Sequence, residues 1–177
     1  MRNFTLHKFL AMLLMTVSSA TLSVAQNVAK IGTTEYATLK AAVYDATAGR
    51  TVVTLINDVD LTTDDELDVN KMQDIVLDMN GHSIKGANAN NKNILVRGKL
   101  TLKDSKENST GKIYSETPYQ YGVYDKSLVN VDGTGEFVME SGHIYSVIPE
   151  KTADNGQFGI GAWGSSKITI KGGTVES

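Results

Sequence analysis

The chain has 177 residues, no cysteine, two prolines and a formal net charge of −3. That length suits one domain. Without cysteine there are no disulfides and no thiolate metal sites, and a mildly acidic chain whose lysines and arginines are scattered does not suit non-specific contact with nucleic-acid phosphates or anionic lipid.

Residues 1–25 read as a signal peptide. Arg2 and Lys8 give a positive start, and the segment from Phe9 to Val17 is an apolar h-region of nine residues. It is less than half of what a bilayer-spanning helix needs, which is about 20 residues. Ser23-Val24-Ala25 offers small residues to a signal peptidase, which predicts cleavage before Gln26 and a secreted or surface-displayed product. The mature chain then loses Arg2 and Lys8, becomes more acidic, and holds no membrane span.

Residues 26–50 read as an N-terminal cap. Val28–Ile31 and Thr34–Tyr36 flank Gly32-Thr33 as a small hairpin. Leu39, Ala42, Val43 and Ala46 recur at helical spacing and make one apolar stripe. Thr38 is placed as its N-cap and Gly49 as its stop, which predicts a helix of about ten residues. That helix would cover the first strands and hide an unpaired edge.

From Thr51 the period becomes two. Thr51–Ile56, Asp74–Met79, Lys99–Lys103, Glu136–Glu140 and Lys167–Lys171 read as short strands. Gly111-Lys-Ile-Tyr-Ser, Gly142-His-Ile-Tyr-Ser and Gly173-Thr-Val-Glu-Ser recur at one fixed interval, and Gly81-His-Ser-Ile is a looser copy placed almost the same interval before the first of them. Further strands are expected at Asn93–Arg97, Leu128–Val131 and Gly159–Trp163. Matching strands at a fixed period predict stacked coils. The expected fold is all-β: a right-handed parallel β-helix of about four to five coils over residues 51–177, behind the hairpin and capping helix. The expected inward set includes Val53, Leu55, Ile75, Leu77, Ile84, Leu100, Leu102, Ile113, Phe137, Met139, Ile144, Ile168, Ile170 and Val175. The repeat stops in mid-coil at Ser177, which reads as the front part of a longer protein or as an edge that self-associates.

The segment AKIGTTEYATLKAAVYDATAGRTVVTLINDVDL resembles the N-terminal cap and first coil of bacterial cell-surface proteins with the pectin-lyase-like fold. IVLDMNGHSIKG, LTLKDS…GKIYS and FGIGAWGSSKITIKGGTVES resemble their later coils. The resemblance implies the architecture and, as a usual supposition, adhesion or glycan contact. It implies no reaction and no cofactor, and fold alone does not give function.

Carbohydrate-active enzymes of that fold are the alternative. Their hydrolases use paired carboxylates with Asp-Asp, Gly-His-Gly and Arg-Ile-Lys signatures. Here Gly81-His82-Ser83 and Gly142-His143-Ile144 lack the second glycine, and Asp64-Asp65 precedes both histidines. His82 and His143 therefore read as turn or ladder residues facing solvent. Asp58, Asp60, Asp64, Asp65, Glu66 and Asp68 read as a solvated turn rather than a calcium loop. The candidate glycan-binding residues are Tyr119, Tyr121, Tyr124, Phe158 and Trp163, since such rings stack on sugars while Tyr and Trp also hydrogen-bond hydroxyls. In register, Tyr121 and Phe158 would be neighbours. A structural spacer without a site is the third alternative, and the expected partners are a glycan or another surface protein.

Overall fold

The structure is a computed structural model that describes residues 26–47, 49–62, 66–86, 94–116, 127–146 and 158–176. The predicted signal peptide, residues 1–25, lies outside the described residues.

Strands β1 (Ala29–Ile31) and β2 (Thr34–Tyr36) form the expected hairpin, antiparallel with Ala29 opposite Tyr36. Helix α1 spans Leu39–Asp45, and the Thr38 Oγ1 accepts from the Ala41 N–H at 3.1 Å. Its stripe is the predicted one, with Leu39, Ala42, Val43 and Ala46 buried and Tyr44 turned outward. The helix is shorter than expected and ends at Asp45, well before Gly49. The reason lies far along the chain. The buried Gln73 amide donates to the carbonyls of Val43 at 2.6 Å and Ala46 at 3.1 Å, supplying the partners a helix C-terminus lacks.

Beyond the cap, strands come in threes. They are β3 (Arg50–Leu55), β4 (Val59–Asp60) and β5 (Leu67–Val69); β6 (Asp74–Asp78), β7 (Ile84–Lys85) and β8 (Ile94–Val96); β9 (Lys99–Lys103), β10 (Lys112–Ser115) and β11 (Ser127–Val131). Then follow β12 (Glu136–Met139), β13 (His143–Ser146) and β14 (Phe158–Ala162), and finally β15 (Lys167–Ile170) and β16 (Thr174–Glu176). Every third strand pairs in parallel with its predecessor. The result is an all-β molecule with three sheets, ordered β15-β12-β9-β6-β3-β1-β2, β16-β13-β10-β7-β4 and β14-β11-β8-β5. Helix α1 packs on β5, β1, β2 and β3, at the starting end of the sheets.

Register turns alternation into columns. Val53, Leu77, Leu102, Met139 and Ile170 lie side by side across the large sheet, as do Ile75, Leu100, Phe137 and Ile168. Val59, Ile84, Ile113, Ile144 and Val175 form the column of the second sheet, and Leu67, Ile94, Val129 and Ile160 that of the third. Inward side chains from all three sheets meet in one core. Each fully buried aliphatic or aromatic side chain there contributes about 1.5–3 kcal/mol. Of the expected inward set, Ile168, Ile170 and Val175 are the exceptions, at 38%, 48% and 40% exposure. They occupy the outermost strand of their sheets, where no described strand covers them.

The acidic stretch is more than a turn. Val59–Asp60 and Leu67–Val69 are strands, and Val59, Leu61, Leu67 and Val69 are core residues between the carboxylates. The expected equal interval holds from β10 to β13 and from β13 to β16, where Ile113, Ile144 and Val175 stand in line. Earlier pairings step by other amounts: Val59 meets Ile84 and Ile84 meets Ile113, two unequal intervals, because connections lengthen while strands stay in register.

The corners between the first two sheets are tied by side chains. The Asp104 carboxylate accepts from the N–H groups of Gly81 (2.8 Å), Lys106 (3.0 Å) and Gly111 (2.6 Å). The Ser141 Oγ, one repeat on, accepts from the Asp104 N–H at 2.7 Å. The repeated glycine serves this corner too: Gly142 and Gly173 have φ of 96° and 88°, a region L side chains avoid.

Candidate functional site

The outer face of the second sheet gathers the most varied chemistry. In β10 and β13 the odd–even alternation sends Ile113, Ser115, Ile144 and Ser146 inward, and leaves Lys112, Tyr114, His143 and Tyr145 half-buried on the outer side. Parallel pairing sets Lys112 beside His143 and Tyr114 beside Tyr145. The two tyrosine rings stack with centroids 5.8 Å apart and planes 16° apart. The Lys112 ammonium lies 4.6 Å from the Tyr114 ring centroid and 5.6 Å from that of Tyr145, and donates to the Tyr145 hydroxyl at 3.4 Å. The His143 ring leans on Tyr145 at 4.9 Å, and its Nε2 is 3.5 Å from a Glu176 oxygen.

The tyrosine column continues to Lys85 on one side and Glu176 on the other. Lys85 pairs with Glu116 at 2.9 Å, and that partner holds the ammonium above its ordinary pKa. The strip thus presents aromatic rings, two hydroxyls, an imidazole and charges of both signs on a hydrogen-bonded ladder. Such a surface can stack on the apolar face of a ring and hydrogen-bond its hydroxyls.

These residues were not among the sequence candidates. The signal was present in Lys112-Ile-Tyr114 and His143-Ile-Tyr145, one repeat apart with the isoleucine inward. Of the sequence candidates, Tyr119, Tyr121 and Tyr124 lie outside the described residues, and so does the expected proximity of Tyr121 to Phe158. Phe158 begins β14, opposite Ser127 of β11. Trp163 follows β14, its side chain in the open at 53% exposure and its backbone N–H bonded to the Val131 carbonyl.

The histidines and carboxylates have local partners. His82 Nδ1 is 3.5 Å from Asp58, whose carboxylate also accepts from the Ser83 N–H. His143 is a ladder residue as expected, but it packs against Tyr145 rather than simply facing solvent. Asp68 pairs with Arg97 in a bidentate contact, its two carboxylate oxygens accepting from Nε and Nη2, which raises the Arg97 pKa. Asp64 and Asp65 lie outside the described residues. No group of three or more His, Cys, Asp or Glu that could hold a metal occurs among the described residues.

On the large sheet, charge alternates from strand to strand. One outward column reads Arg50, Asp74, Lys99, Glu136, Lys167. A second, at the strand ends, runs Asp78, Lys103, Glu140, Lys171. The contacts are 3.8 Å for Lys99–Asp74, 3.2 Å for Lys103–Asp78, 3.5 Å for Lys167–Glu136 and 3.6 Å for Lys171–Glu140.

Among the described residues no helix is long and apolar enough to cross a membrane. Comparison of the chain with protein-family models, curated proteins and solved structures yields no match.

Proposed function

We propose that the three sheets are the faces of a right-handed parallel β-helix of four to five coils, exported by residues 1–25, that serves as a non-catalytic module for adhesion or carbohydrate binding. The strand triplets, the parallel register and the capping hairpin and helix support the architecture. The observation that carries the function is the stacked Tyr114–Tyr145 pair with Lys112 against both rings, built on a rigid ladder. Trp163 adds a second exposed aromatic.

The enzymatic alternative, a polysaccharide lyase or hydrolase, needs carboxylates and a basic residue converging in a groove. Asp74, Asp78, Glu136 and Glu140 of the large sheet are instead strung along columns, each against a lysine. A glycan array on the purified protein tests the binding reading. At least one glycan should be retained, and Tyr114→Ala/Tyr145→Ala should weaken that retention about tenfold, the equivalent of one well-placed ring. The circular dichroism spectrum should not change. Retention that ignores both tyrosines would overturn the site, and an array without any hit would favour the spacer.

A further inference from the structure

Among the described residues, Asn80-Gly81 and Asp132-Gly133 are the steps built for spontaneous succinimide formation. In each, the glycine nitrogen can attack the preceding side chain's Cγ, because glycine brings no side chain to hinder it. Ring closure expels ammonia from an asparagine and water from an aspartic acid. Water then reopens the ring, to aspartate or to isoaspartate, whose main chain runs through the former side chain. As sequence, Asn80 is the more reactive, since an amide loses ammonia more readily than a carboxyl group loses water.

The fold treats the two steps in opposite ways. The Gly81 N–H donates away from Asn80, to the Asp104 carboxylate at 2.8 Å. The nitrogen must lose that proton to react, and the negative charge of Asp104 opposes the anion this would create. The Asn80 amide is pinned as well, its Nδ2 donating to the Leu55 carbonyl at 3.1 Å. Lys106 packs against Gly81, its Cγ 3.0 Å from where a Cβ would stand. At the other step the Gly133 N–H donates to the Oδ1 of Asp132 itself at 2.7 Å, so the nucleophile already lies against the group it attacks. Asp132 is exposed, and beyond its chain neighbours nothing stands within 4 Å of where a Gly133 Cβ would be. We propose that Asp132 is the site of isoaspartate formation among the described residues, and that the Asp104 corner guards Asn80. The fold thereby inverts the order of reactivity that the sequence dictates. Asn80 converts only through openings of its corner, so its rate follows the open fraction. The product at Asp132 adds a methylene to the turn in which the Asp132 carbonyl accepts from the Gly135 N–H and the Gly133 carbonyl from the Ser165 N–H.

The Asp132→Asn variant tests this without dependence on the tyrosine strip. It changes an exposed position and gives both steps the same Asn-Gly chemistry, one poised and one guarded. The purified variant is aged in neutral buffer, digested with trypsin and read by mass spectrometry, beside synthetic peptides of the two segments. Relative to its own peptide, position 132 should convert at least about tenfold faster than Asn80. In the parent protein, isoaspartate should collect at Asp132 while Asn80 stays an amide. Asp104→Ala, or the milder Asp104→Asn should the alanine variant not fold, should speed conversion of Asn80 and leave Asp132 at its parent rate. Equal peptide-corrected rates at the two positions, conversion of Asn80 first, or an Asn80 rate that ignores Asp104 would overturn the proposal.

Discussion

The middle repeats and the last one carry nearly the same pattern but hold it differently. Ile113 and Ile144 are buried, whereas Val175, next in their column, is 40% exposed. Leu102 and Met139 are sealed, whereas Ile170 beside them is 48% exposed. The residue types barely change. What changes is whether a strand stands on both sides, so burial here is a property of the neighbour more than of the side chain.

The largest expected effect breaks the comparison at one column. Met139→Asp places an unpaired carboxylate in a closed core and should cost about 4 kcal/mol or prevent folding. Ile170→Asp, which the pattern alone marks as equally harmful, should cost under about 1 kcal/mol, close to exposed Lys171→Asp. Urea melts of the three variants check this, and similar losses for Met139→Asp and Ile170→Asp would show that β15 is covered.

A smaller effect sharpens the same contrast at the corners. Asp104 in the middle serves three backbone donors, while the matching position of the last repeat is Gly172. Asp104→Ala should cost about 3 kcal/mol, since hydrogen bonds to charged groups contribute about 1.5–3 kcal/mol each and neighbours partly compensate. Asp104→Asn should recover part of it, as seen by thermal melting. Unchanged melting of the alanine variant would remove the corner as a source of stability.

The smallest effect concerns acid. Burial pushes the Asp78 carboxyl up, but donors from Ser105 and Asn80 and the Lys103 ammonium outweigh it and hold the pKa below the ordinary value. A lowered folded-state pKa means stability that is complete above the unfolded value, about 4, and lost as pH falls through the folded one. Denaturant midpoints should therefore decline more steeply below about pH 4 in the parent than in Asp78→Asn. Parallel curves would mean that Asp78 is not held in its charged form.

The long alternating strands were legible because alternation and fixed spacing are local facts. Lys99–Lys103 matches its predicted bounds, and the Gly142 repeat predicted the β10–β13 register. The very short β4 and β5 were not legible, since such strands show no period and Asp58, Asp60 and Asp68 give them the look of a turn. The early end of α1 was hidden because its cap comes from Gln73, 30 residues beyond Val43. The tyrosine strip was half-legible: the repeat aligned Tyr114 with Tyr145, but the isoleucine between its polar neighbours marked each segment as core, and the clustered Tyr119, Tyr121 and Tyr124 looked more like a site.

Register also bears on how the chain finds its shape. Across the large sheet beyond the hairpin and β3, each strand pairs in parallel with the strand three places before it, with Arg50–Asp74 closing the shortest loop and Lys99–Glu136 the longest. Loop-closure entropy grows only with the logarithm of length, so these two differ by about 0.4 kcal/mol. No single pairing is thereby favoured as a starting point. Conformational search can begin at whichever pair of rows meets first and spread in both directions, like a zip with no fixed end.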